Sequence, residues 1–136
     1  MSKIKQKDIK IKTNCTNCFK SNHIVFNFAY VSYCEYFNKE EKSTLIDRML
    51  EVSSITYLEL RRWDKYKGFE EKIIDIKKQI PKNFNNEIEQ FDGKYSILRL
   101  YKGNNPTPGR IIGKIVNKVF YIFYIDVKGI LYNHGS

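Results

Sequence analysis

A chain of 136 residues that is 42% apolar and 15% aromatic, with ten Tyr and nine Phe, can build one hydrophobic core but not two, and lies outside the composition of disordered chains. No apolar run nears the roughly 18–20 residues of a membrane helix, the basic start MSKIKQKDIKIK has no apolar stretch behind it, and three cysteines make no disulfide framework, so a cytoplasmic protein without a membrane partner is expected. The formal charge of +9 is uneven, with six Lys against one Asp over 1–20, eleven basic against thirteen acidic residues over 21–93, and seven basic residues against one Asp over 94–136, a distribution whose usual compensation is an anionic partner such as nucleic acid, an anionic membrane surface or an acidic protein.

Residues 1–20 alternate Lys with Ile4, Ile9 and Ile11 without a sustained apolar face, and read as a basic arm or a short edge strand ahead of a single α+β domain over 21–136. The run from Ile24 to Tyr33 is rich in β-branched and aromatic residues and places Phe26, Phe28 and Tyr30 on one face at period two, which predicts a first strand. Asn38 followed by Glu41 marks a helix start, and Leu45, Ile46, Met49, Leu50 and Val52 predict a helix over 39–53. Thr56 with Glu59 makes a second capping box for a short helix ending near Trp63. After Gly68, the spacing of Phe69, Ile73, Ile76 and Ile80 up to Pro81 predicts a third helix, and the Asn-rich stretch 82–93 reads as loop.

The remainder is strand. Residues 94–102 come first, then a loop with two prolines and two glycines over 103–109 that no ladder tolerates. Residues 110–116, a tight Asn117-Lys118 turn and residues 119–126 form the clearest hairpin, and Lys128-Gly129 turns the chain into a fourth strand at 130–132. The fold class expected is α+β: an N-terminal strand, two to three helices, then an antiparallel meander of three to four strands.

Catalytic motifs are few. Gly103 to Gly109 lacks the Lys-Ser/Thr of a phosphate loop, no G-x-S-x-G or H-E-x-x-H occurs, and there are two histidines, which leaves little for nucleotide hydrolysis, a serine triad or a zinc protease. Charge runs such as Asp47-Arg48 and Glu70-Glu71-Lys72 read as solvated helix faces. Cys15, Cys18 and His23 have the spacing of a zinc knuckle, with Cys34 the one further candidate ligand. A tetrahedral site needs all four, so ordinary cysteines are the competing reading and no cofactor is assigned.

The C-terminal sheet is basic and aromatic. Alternation puts Arg110, Ile112 and Lys114 on one face, Tyr121 and Phe123 on one face of the next strand, and Phe120 and Tyr124 on the other. Cations beside rings suit single-stranded RNA, the cations neutralising phosphate and the rings stacking on bases. Rings packed in the core under a soluble rim of lysines would produce the same pattern.

An early strand, a helical hairpin and then Arg110-Ile-Ile-Gly-Lys-Ile-Val-Asn-Lys-Val-Phe-Tyr-Ile-Phe-Tyr-Ile-Asp-Val-Lys-Gly-Ile-Leu-Tyr132 resembles the RelE/ParE-like toxins of bacterial toxin–antitoxin modules. The likeness spans about 24–132 in order of elements and 110–132 in wording. It implies a ribosome-dependent messenger RNA endoribonuclease that needs no metal and is silenced by an acidic antitoxin. Such an enzyme stabilises phosphorane charge with cations and moves protons at the 2′-oxygen and the leaving 5′-oxygen. The resemblance implies Arg99 and Arg110 as phosphate clamps, Lys102, Lys114 and Lys128 as further charge, and Tyr132 with His134 for proton transfer. The alternative reading is a basic binder of nucleic acid or ribonucleoprotein without catalysis, for instance a phage-encoded inhibitor of a host defence complex.

Overall fold

The computed structural model describes residues 22–63, 68–74, 93–102 and 108–131. In chain order these hold β1 (Val25–Asn27), β2 (Ser32–Tyr33), α1 (Lys39–Ser53), α2 (Tyr57–Arg61), β3 (Phe69–Ile73), β4 (Lys94–Arg99), β5 (Arg110–Val116) and β6 (Val119–Asp126). The arm over 1–20, with Cys15 and Cys18, and the site candidates Tyr132 and His134 lie outside the described residues.

The fold is mixed α+β, a six-stranded sheet in the order β1-β6-β5-β4-β3, with β2 also on β6. Consecutive strands from β3 to β6 pair antiparallel. The sheet is nevertheless mixed, where an antiparallel one was expected, because β1 and β2 both run parallel to β6. The single predicted strand over 24–33 is thus two short pieces on one edge of β6, separated by a turn in which the Ala29 amide donates to Asn27 Oδ1 at 2.8 Å. That edge reaches β6 only after the whole intervening chain, as a parallel pair requires a crossover.

The helix starts follow local chemistry. The Asn38 amide donates to Glu41 Oε1 at 3.1 Å, and at α2 the Glu59 amide donates to Thr56 Oγ1 at 3.1 Å while the Thr56 amide donates to Glu59 Oε1 at 3.4 Å, so orphan donors are satisfied in both. The buried stripe of α1 is Leu45, Arg48 and Val52, whereas Ile46 and Leu50 are exposed. Arg48, read from sequence as part of a solvated face, is therefore a buried residue.

The predicted third helix is corrected: residues 69–73 are strand β3, paired with β4 from Phe69↔Leu98 to Ile73↔Lys94, and 75–80 lie outside the described residues. A spacing of four is also a multiple of two, so Phe69 and Ile73 fit a strand face as well as a helix stripe. Pairing with a distant strand decided between them. The predicted fourth strand is corrected too. Ile130 and Leu131 lie in a bend, their amides donating to the Asp126 carboxylate at 3.0 and 2.8 Å.

Both helices lie on one face of the sheet, where Leu45, Val52 and Leu60 pack with Leu98, Ile111, Ile115, Phe120, Ile122 and Ile125. On the other face Tyr95, Ile97, Ile112 and Phe123 are buried as a second cluster. The β5–β6 register shifts at Ile112/Gly113: Ile112 faces Tyr124 and Gly113 faces Ile122. The extra residue in β6 reverses the alternation, so Tyr124 shares a side with Ile112 and not, as alternation predicted, with Phe120. No helix among the described residues is long and apolar enough to cross a membrane.

Candidate nucleic-acid interface

Arg99 ends β4 and Arg110 begins β5, and the antiparallel register makes them direct cross-strand partners. On its other side Arg110 is registered with Asp126, and the Arg99 amide donates to the Gly68 carbonyl at 2.7 Å. One row across the sheet therefore reads Gly68, Arg99, Arg110, Asp126, and strand alternation puts Arg99 and Arg110 on the face of Ile97 and Ile112, away from the helices. Gly68 has φ +85°, and a Cβ there would stand 2.5 Å from the Arg99 side chain. The glycine thus makes room for that arginine as well as supplying the left-handed turn.

Three further cations gather at this end. Lys102 follows β4, its Nζ 3.5 Å from Glu51 Oε2, and Lys128 follows β6, its Nζ 5.1 Å above the Tyr36 ring. Beneath the row, buried Arg48 donates from Nε to the Arg99 carbonyl at 2.9 Å and from Nη1 to Glu51, and its guanidinium lies 5.0 Å from the Trp63 ring centre. Burial lowers the Arg48 pKa from its ordinary value and nearby Arg99 acts in the same direction, while the hydrogen bond and charge of Glu51 oppose them. A cleft of about 290 Å³ lined by Thr44, Asp47, Arg48, Glu51, Leu100 and Lys102 opens here. Its lining sets Arg48 and Lys102 against Asp47 and Glu51, so the cleft itself is not an anion site, whereas the Lys102 side chain stays exposed at its rim.

Lys114 does not join this group. It lies four residues along β5 from Arg110, roughly 13 Å at strand rise, is buried, and donates from Nζ to the Lys94 carbonyl at 2.8 Å. The Arg110 Nη1 donates to the Gly109 carbonyl at 3.1 Å.

His23 and Cys34, the two candidate zinc ligands among the described residues, are not brought together either. His23 precedes β1, which pairs with β6 from Val119, whereas Cys34 follows Tyr33, which pairs at Ile125. Six residues of β6 separate the two, roughly 20 Å, too far to share one ion. The His23 Nδ1 instead lies 2.7 Å from the Ser53 carbonyl, and no cluster of three ligating side chains occurs among the described residues.

Sequence reading missed Arg48 and the rings of Tyr33 and Tyr36. For Arg48 a signal existed, since residue 48 lies three after Leu45 and four before Val52, inside the apolar stripe. Tyr124, near the same end, has its pKa raised by burial first, then by Cys34 and Asp126.

No family model, curated protein or solved structure matches this chain. The functional reading therefore rests on the arrangement of its own residues.

Proposed function

We propose that the chain binds RNA through the cationic end of its sheet and acts as a RelE-like toxin, cutting messenger RNA on the ribosome until an acidic antitoxin neutralises it. The observation that supports this is the Arg99↔Arg110 pair. The two arginines stand opposite each other with Asp126 beyond Arg110 in the same row, and a phosphate between two arginines accepts charge-assisted hydrogen bonds from both. In this reading Arg99 and Arg110 clamp the scissile phosphate, Lys102 and Lys128 supply surrounding charge, and Tyr132 with His134 serve the proton transfers.

One observation favours the second reading, a binder that does not cut. Lys114, one of the expected catalytic cations, is buried at the other end of β5. Induced expression in a bacterium separates the two. The toxin arrests growth and leaves messenger RNA cleaved within ribosome-bound codons, and Arg110→Ala restores growth at equal protein level. Unimpaired growth with intact messenger RNA, alongside salt-sensitive RNA binding, leaves the binder.

A further inference from the structure

We infer that Tyr33 and Tyr36 form a stacking platform for unpaired bases, which extends the cationic end of the sheet into a seat for a single-stranded RNA segment. The inference rests on the RNA-binding reading above and deepens it, adding a base-contacting surface that the cations alone do not supply.

Tyr33 is 55% and Tyr36 41% exposed, so both rings offer surface to a ligand. Neither is loosely presented. Tyr33 belongs to β2 and pairs with Ile125, and its ring sits 5.2 Å from that of Phe37 at an interplanar angle of 51°. The segment between them is turned by hydrogen bonds from the Phe37 amide to the Cys34 carbonyl at 3.2 Å and from the Asn38 amide to the Tyr36 carbonyl at 3.0 Å. An ordered backbone lowers the entropy lost when a ligand settles on the rings.

Charge accompanies each ring. Lys42 Nζ lies 6.0 Å from the Tyr33 ring centre and 5.6 Å from that of Phe37, and Lys128 Nζ lies 5.1 Å from that of Tyr36. A cation next to an exposed ring is the pairing single-stranded nucleic acid uses, with phosphate at the cation and the base on the ring.

Position connects the platform to the arginines. Ile125, the partner of Tyr33, is next to Asp126, the partner of Arg110. Two strand spacings, roughly 10 Å, separate the β2 line from Arg110. A strand bound at Arg99 and Arg110 would continue round the end of β6, where Lys128 lies over Tyr36 and where Tyr33 is paired beside Asp126 at Ile125. Because every base has a π-face, the platform selects unpaired over paired RNA and discriminates weakly among bases.

The test uses the full chain and two labelled probes of about ten units, a length within the range of single-strand binding sites: a uridine-rich RNA and an abasic ribose-phosphate strand of equal charge. Tyr33→Ala and Tyr36→Ala are expected to weaken RNA binding about tenfold each and to leave abasic-strand binding unchanged, while Tyr33→Phe and Tyr36→Phe keep the wild-type affinity. Thermal melts matching wild type show that the alanine variants fold. Wild-type affinity in both alanine variants would overturn the platform and leave RNA binding standing. An equal loss on both probes would overturn stacking as its basis. If the unaltered chain binds neither probe, the RNA reading falls and the inference with it.

Discussion

Arg48 shows how one side chain can join fold and site. Its side chain is 3% exposed, and its guanidinium lies over Trp63 and holds both the Arg99 carbonyl and Glu51. It therefore links α1 to the end of β4 where the arginine pair begins. Removing it leaves a buried carbonyl without its donor and Glu51 without its nearest cation, so Arg48→Ala is expected to lower stability by about 3 kcal/mol, measured by urea unfolding near neutral pH. A loss within the range of ordinary surface substitutions, under about 0.5 kcal/mol, would mean that the link carries no weight. Leu45 and Val52 were recognisable as core from their spacing alone. Arg48 has that spacing too, but its charge argued for water, and only a carbonyl and a carboxylate brought from elsewhere in space make its burial tolerable.

At the scale of elements, the β5–β6 hairpin carries Arg110 and leads into Lys128. Its turn was legible: Asn117 and Lys118 both adopt positive φ, at 52° and 68°, the geometry that a two-residue hairpin demands. Its bulge was not. Gly113 lies where the register shifts, and a Cβ there would stand 2.0 Å from the Tyr121 carbonyl oxygen. Gly113→Ala must push the two backbones apart and is expected to cost about 3 kcal/mol, with loss of protected amides in β5 and β6 by hydrogen exchange. Exchange and stability equal to wild type would show that the strands have slack at this position. The same bulge sends Phe123 and Tyr124 to the side of Ile112, so the count of residues along β6 could not assign its rings to faces. β3 carries a related lesson: Ile73 is 69% exposed, and the Phe69 to Ile73 spacing that suggested a helix stripe marks no continuous buried face.

For the whole molecule the deciding quantity is charge brought together. Seven basic residues over 94–136 were visible as a cationic segment, and Arg99, Lys102, Arg110 and Lys128 lie at or just past the same end of the sheet, where β4 and β6 end and β5 begins. Lys94, Lys114 and Lys118 do not: Lys94 begins β4 opposite Ile73, Lys114 is bound to the Lys94 carbonyl and Lys118 to Asn22 Oδ1. If those four cations each neutralise one phosphate, log affinity for single-stranded RNA falls with log salt concentration at a slope near −3, at about 0.7 per contact. Arg110→Ala should reduce that slope by about 0.7. Anisotropy titrations over a range of sodium chloride concentrations provide the measurement. A slope shallower than about −1 would remove this end of the sheet as a phosphate surface.

Composition, hydrophobic period and turn chemistry by themselves determined the α+β class, helix α1 to the residue, the cap of α2 and the β5–β6 hairpin, because each depends on contacts within a few neighbouring residues. The parallel placement of β1 and β2 on β6, the strand state of 69–73, the burial of Arg48 and Lys114 and the separation of His23 from Cys34 belong to the tertiary structure alone. Each is set by partners between about 20 and 100 residues away in the chain. Local propensity has no access to contacts at that separation.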